Sequence, residues 1–189
     1  MKLLFLGSGP TKPVVRPGAR NTRTNSSLLI ETDVGNLLID CTPQIELQVE
    51  RNYPGSREDF VEKLKAVFIT HGHKDCIGGI PTLNSWLKEA DKVINLYASR
   101  QTWNVIREKF SEQSLSQFNE AIARCDVPIM ICGLKVVPFR VIHAEPFPTG
   151  RKFPTFAYFV TNAQSFVYAE DFEAIPKESE KYFSRADLL

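Results

Sequence analysis

Lys65-Ala66-Val67-Phe68-Ile69-Thr70 runs directly into His71-Gly72-His73-Lys74-Asp75-Cys76-Ile77-Gly78-Gly79. The first six residues are short, rich in β-branched and apolar side chains, and bounded by polar segments. They predict a buried strand. In an extended chain, residues two apart share a face, so His71 and His73 aim at one point. Gly72 permits the tight path between them. The turn beyond brings in Asp75, and Cys76 adds a thiolate donor. Imidazole, carboxylate and thiolate are the ligand types of zinc and related divalent metals. Two imidazoles and a carboxylate crowded at a strand end are poor core material, because buried polar groups need partners.

The chain has three histidines, and the third, His143, follows the apolar run Leu134–Ile142. It sits at a strand-to-loop junction, where site residues gather. Phe166-Val167-Tyr168-Ala169 runs into Glu170 and Asp171, where a carboxylate can bridge two cations. Around these points the pattern predicts strands at 2–6, 27–32, 36–40, 93–98, 127–131, 134–142, 155–161 and 164–169. It predicts helices at 43–53, 57–63, 81–90, 100–110 and 112–124. Thr42 is the expected N-cap of the first helix, with Pro43 inside it. Residues 10–25 read as a long loop. Strands, then helices, then strands again favour a layered protein with much antiparallel sheet and helices outside.

The 189 residues fit one domain, 1–189, with 43% hydrophobic and 24% charged residues. No apolar run is long enough for a membrane helix, and the apolar start is too short for an export signal. A cytoplasmic protein with no membrane partner is expected. A net charge of +1 excludes binders that work by bulk positive charge. Cys41, Cys125 and Cys132 show no ligand spacing with each other and are expected to be reduced, mostly buried thiols.

His71-Gly72-His73-Lys74-Asp75-Cys76-Ile77-Gly78-Gly79 resembles the H-x-H-x-D-H-x-x-G signature of the metallo-β-lactamase-fold hydrolases. Leu37-Leu38-Ile39-Asp40 is similar to that family's first motif, His143 to its next metal histidine and Asp171 to its bridging aspartate. Phe5-Leu6-Gly7-Ser8-Gly9 matches the opening of some members. Tyr168-Ala169-Glu170-Asp171 with Ile175-Pro176-Lys177-Glu178-Ser179 resembles the PhnP-type phosphodiesterases in particular. Ribonuclease Z is the next relative, through Arg20-Asn21 and the helix after Cys41. The resemblance implies an α+β fold, a four-layer αββα sandwich. It implies a first metal on His71, His73 and His143, and a second held in part by Asp75 and Asp171, with Asp40 orienting a ligand or the loop around it.

Two departures bear on that inheritance. Cys76 stands where the family has histidine; it either supplies a thiolate to the second metal or marks a lost site. No histidine follows Asp171, and Arg185–Leu189 looks like the start of a further strand, so a domain truncated at its C-terminal end is expected.

The expected activity is hydrolysis of a phosphodiester by a metal-bound hydroxide, with Asp75 and Asp171 as the catalytic carboxylates. One or two divalent metals are expected, zinc first, manganese or iron otherwise. Residues 1–30 carry five cations and no acid. Arg20, Arg23, Asn25 and, from the later loop, Lys152 are therefore the candidates for meeting phosphate. The expected partner is a small phosphodiester. Nucleic acid is less favoured, because no broad basic stripe with stacking aromatics is present; a homo-oligomer is compatible with the sequence, which does not fix the oligomeric state. The alternatives are a ribonuclease Z-like endonuclease, or a degenerate or truncated metal-binding paralogue without activity.

Overall fold

The computed structural model describes residues 1–10, 23–144 and 152–189, with backbone alone at 144 and 152–154. Six strands form the first sheet: β1 (Lys2–Gly7), β2 (Ser27–Thr32), β3 (Gly35–Ile39), β4 (Leu64–Phe68), β5 (Ile94–Ala98) and β6 (Phe118–Ile122). They lie in that order; β1 to β3 pair antiparallel and β3 to β6 parallel. The second sheet is an antiparallel meander of β7 (Ile129–Ile131), β8 (Leu134–Ala144), β9 (Lys152–Thr161) and β10 (Ser165–Tyr168).

Alternation along the strands explains why the sheets face each other. Leu28, Ile30, Leu37, Ile39 and Phe68 point to one side and meet Leu134, Val136, Phe156, Tyr158, Val160 and Phe166 of the second sheet. Leu29, Leu38, Val67 and Leu96 point to the other side. There they bury Ile45 and Val49 of α1 (Ile45–Asn52), Phe60 of α2 (Arg57–Lys63), Ile77 of α3 (Lys74–Ile77), Leu83 and Trp86 of α4 (Ile80–Glu89), and Trp103 and Ile106 of α5 (Arg100–Lys109). Val137, Phe139, Val141 and Phe159 on the outer face of the second sheet pack on Tyr182 of α6 (Glu180–Phe183). The result is helix, sheet, sheet, helix in four layers. Strands buried on both faces carry continuous apolar runs, as Leu28-Leu29-Ile30 does. Among the described residues no helix is long and apolar enough to cross a membrane.

Several elements differ from the expectation. Residues 112–124 are not one helix. A single 3₁₀ turn at Glu112–Leu115, capped by Ser111 Oγ accepting from Ser114 N–H (3.3 Å), gives way to β6. All five residues of β6 pair with β5, and this sheet pairing outweighs local helix propensity. The N-terminal cap position of α1 is Gln44, not Thr42. Thr42 Oγ1 accepts from Gln44 N–H (3.3 Å) and donates to Gln48 Oε1 (2.9 Å), which fastens the turn rather than the helix end. The short helices α3 and α6 were not expected. Of the thiols, Cys41 is buried, but Cys125 is exposed and Cys132 half-exposed, each in a loop between strands. At the other end, Val167 N–H donates to Leu188 O (3.0 Å), so residues 187–188 lie along the outer side of β10.

The chain around the H-x-H segment is held by backbone bonds to its neighbours. Cys41 N–H donates to Cys76 O (2.8 Å) and Gly79 N–H to Cys41 O (2.9 Å). A side chain at Gly79 would meet Thr42 O at 2.1 Å, a contact with backbone that cannot swing away. Gly79→Ala is therefore expected to lower stability by roughly 1–3 kcal/mol through overpacking, read as a lower urea midpoint at unchanged slope.

Candidate metal centre

The sheet ends build the site. β4 continues as Ile69-Thr70, and Ile69 O accepts from Tyr158 Oη (2.6 Å) while Thr70 O accepts from Phe156 N–H (2.9 Å). These two bonds tie the H-x-H segment to the second sheet. On that sheet β8 carries His143 at its end, and Asp171 follows β10. Three histidines separated by as many as 72 residues thereby converge. His71 Nε2 lies 2.9 Å from His73 Nδ1, and His143 Nε2 lies 3.3 Å from the same His73 atom. The rings stand at 72–76° to one another, with centroids 4.5–5.1 Å apart.

Asp40 orients the first of these rings. It follows β3 directly, beside the end of β4, in the left-handed region (φ 61°), a conformation Asp tolerates better than most residues. Its carboxylate accepts the Thr70 N–H (2.9 Å) and the Thr70 Oγ1 hydroxyl (2.9 Å to Oδ2). Thr70 Oγ1 stands 3.0 Å from His71 Nδ1. A threonine has one hydroxyl proton. Burial pushes the Asp40 carboxyl well up, and a cation at the centre favours its ionised form. With Asp40 ionised, the hydroxyl proton goes to its carboxylate, which leaves an Oγ1 lone pair for the His71 Nδ1–H. The Nε2 lone pair then faces His73 and His143. Asp40 and Thr70 are both fully buried, so this chain of bonds is shielded from water.

Electrostatics favour a cation at the centre. Burial holds the His71 imidazole neutral, bringing its pKa down to about 3, with further lowering from His73, His143 and Lys109. Burial lowers His73 as well. Asp171 is pushed up by burial and then by the Asp75 carboxylate, and Glu170 by burial. Neutral imidazoles facing inward and carboxylates crowded beside them are the donor set of a divalent metal site. A tetrahedral zinc site with Zn–N of 2.0–2.1 Å places its nitrogens about 3.3 Å apart, close to the spacings here.

Ligand atoms of His71, His73 and His143 all lie within 4.8 Å of one another, and so do those of His71, Asp75, Cys76 and Asp171. The two sets share His71. Asp171 Oδ2 is 3.7 Å from His71 Nε2, and Asp171 also takes the left-handed region (φ 49°). Cys76 Sγ lies 3.6 Å from His71 Nδ1 and 3.7 Å from Thr70 Oγ1, on the side of the ring away from His73. Burial pushes its thiol well up, and Asp40 and Asp75 add to this.

The structure thus brings together His71, His73, Asp75, Cys76, His143 and Asp171, with Asp40 behind His71. The phosphate candidates fare differently. Asn25 is buried; its side-chain amide donates to Pro10 O (2.8 Å), so it braces the chain after β1 instead of facing a substrate. Arg23 is exposed on the same segment. Arg20 and the Lys152 side chain lie outside the described residues. Two residues escaped the sequence reading. Thr70 had a signal, a hydroxyl directly before His71 at a strand end. Lys109, whose Nζ donates to Gly72 O (3.1 Å), had none, being 37 residues away.

The His71 geometry sets a pH dependence for the protein stripped of metal. Between pH 6.5 and about 3 the unfolded chain binds a proton at His71 and the folded chain does not. Stability therefore falls as pH drops through this window. His71→Gln removes that contribution, and its stability is expected to fall less steeply than the wild type's, by up to about 1.4 kcal/mol per pH unit. Urea titrations of both proteins with chelator present measure the difference in slope.

The family model for the beta-lactamase superfamily domain matches residues 35–189. An octanoyltransferase of Porphyromonas gingivalis is 28% identical over 195 residues, covering 93% of this chain and 37% of that protein. A ribonuclease J of Mycoplasma genitalium is 33% identical over 150 residues, covering 75% of this chain and 25% of that protein. The chain thus spans between a quarter and somewhat over a third of the length of these curated relatives. Among solved structures, Zn²⁺-bound PqqB from Methylobacterium extorquens superposes with a TM-score of 0.79 at 18% identity, covering 98% of this chain and 71% of that one. A diphosphatase of the PhnP family superposes at 0.76 with 26% identity and the same coverages. The four layers, the converging histidines and the family match over most of the length agree: this chain belongs to the beta-lactamase superfamily, with the metallo-β-lactamase fold.

Proposed function

We propose that this chain hydrolyses a phosphodiester with the help of one or two divalent cations, zinc foremost. The observation that carries the reading is the convergence of three imidazole nitrogens beside Asp75 and Asp171. A diphosphatase and a ribonuclease among the similar proteins support phosphorus as the centre attacked. His71 Nε2, His73 Nδ1 and His143 Nε2 would hold the first cation; Asp75, Asp171 and Cys76 would hold a second. A bound divalent cation supplies Lewis acidity toward a phosphoryl oxygen and acidifies water.

The remaining work falls to the chain. Asp75 and Asp171 accept hydrogen bonds from the attacking water and fix its direction. Burial and the Asp75 carboxylate push Asp171 up, a cost that a bound cation offsets. Asp40, through Thr70, keeps His71 in the tautomer that turns Nε2 to the centre. Burial of His71 removes competition from protons down to acidic pH.

A ribonuclease-type activity is the second reading, favoured by the 33% identity to the ribonuclease J. Competition separates the two. For a small-diester enzyme, hydrolysis of bis(p-nitrophenyl) phosphate is expected to be unchanged by added structured RNA; strong inhibition, with cleavage of the RNA, favours the second reading.

The primary test is that diester assay on zinc-loaded protein, with metal per chain counted by mass spectrometry. Chelation is expected to abolish turnover and zinc to restore it. Asp75→Asn is expected to lower kcat by roughly 10²–10⁴-fold. No turnover in a protein that holds zinc would sink the reading. Asp40→Asn is expected to weaken zinc binding by about 10–100-fold, measured by chelator competition; unchanged affinity would remove Asp40 from the orientation of His71.

A further inference from the structure

α5 ends at Lys109, beside the loop that carries the two neighbouring histidines. Trp103 and Ile106 bury one side of this helix in the core, and Trp103 Nε1 donates to Ala121 O (3.3 Å). The helix is thus fixed against β6. Its last turn carries Arg107 and Lys109, and cations are favoured at a helix C-terminus. Arg107 is engaged by Glu120. Lys109 is exposed, and among the described residues no carboxylate pairs with it. Instead its Nζ donates to Gly72 O (3.1 Å), the carbonyl between His71 and His73.

A positive charge set beside a cation site opposes filling that site. The carboxylates of Asp40, Asp75, Glu170 and Asp171 compensate for a metal. None of them pairs with the ammonium on the Gly72 side. That charge is matched when an anion arrives. An ammonium has three N–H groups, and the Gly72 bond uses one. Two remain for oxygens of an ester docking against the histidines.

We propose that Lys109 is a specificity-determining residue that binds a non-bridging oxygen of an anionic phosphate ester, with Gly72 O holding the ammonium in place between turnovers. The inference rests on the hydrolase reading above and deepens it: the substrate carries a negative charge next to the bond that breaks. Neutral esters of the same shape lack the oxygen charge that Lys109 meets, so the residue selects by charge rather than by size.

The test uses the full zinc-loaded chain and two esters with the same p-nitrophenolate leaving group. Bis(p-nitrophenyl) phosphate is an anion; diethyl p-nitrophenyl phosphate is neutral. For Lys109→Met, the calorimetric Kd and the KM for the anionic ester are expected to rise about tenfold. The ratio of kcat/KM for anionic over neutral ester is expected to fall by a similar factor, and Lys109→Arg to restore most of it. Zinc per chain is measured on every variant. A Kd for the anionic ester equal to the wild type's overturns the proposal. So does an equal loss on both esters, or a loss of zinc that tracks the loss of binding, since either makes Lys109 a brace for the loop alone. Wild-type protein that binds the diester without cleaving it overturns the phosphodiesterase reading, and the Kd ratio still decides the role of Lys109. A wild type that neither binds nor cleaves the diester overturns both.

Discussion

The buried chain of hydrogen bonds from Asp40 through Thr70 to His71 is the constraint on which the rest of the site depends. It joins the ends of the two central, parallel strands β3 and β4, where the chain leaves the first sheet for the histidine loop. Asp40 adopts a left-handed backbone there, which turns its carboxylate back onto Thr70. Strain of this kind persists only where surrounding structure over-determines it. Here Asp40 N–H donates to Phe68 O (2.9 Å), and Ser27 Oγ donates to Asp40 O (2.8 Å), so the residue is held from both neighbouring strands.

That small network couples the two packing interfaces of the sandwich. The helix-side core fixes α3 and α4, and with them Asp75 and Cys76. The inter-sheet core fixes β8 to β10, and with them His143 and Asp171. The two groups meet only because β4 runs on past the sheet as Ile69-Thr70 and is bonded by Tyr158 and Phe156 of the opposite layer. Removing water from this junction has two effects on the chemistry. It keeps His71 neutral and ready to donate a lone pair, and it raises the cost of the nearby carboxylates until a cation offsets them. Positive charge at the centre is thus written into the burial pattern, while Lys109 places a second positive charge at the rim.

Much of the site was legible in the chain because its signals are local. H-x-H-x-D at the end of an apolar strand needs only the two-residue period of extended backbone to be read as converging ligands. His143 and Asp171 each follow an apolar run, and strand ends are where a sheet offers side chains to a shared edge. Asn25 misled for a physical reason. A polar residue in a basic loop looks available, but its amide is needed to satisfy Pro10 O where the chain is buried. The stretch after Ser111 misled similarly: its propensity is helical, and only the open side of β5 converts residues 118–122 to strand.

By itself the sequence determined the order of the ligand residues and the run of strands, helices and strands, while the four-layer arrangement followed from the family resemblance, because periodicity along the chain does not fix which faces pack together. The tertiary structure alone decided which side of His71 receives Cys76, that Asp40 acts through Thr70, and that Lys109 reaches Gly72. Those contacts join residues on different elements, 5 to 37 positions apart, whose distances are set by sheet pairing and helix packing. No local pattern encodes them, because the same side chains in the same order would meet differently if the layers packed in another register.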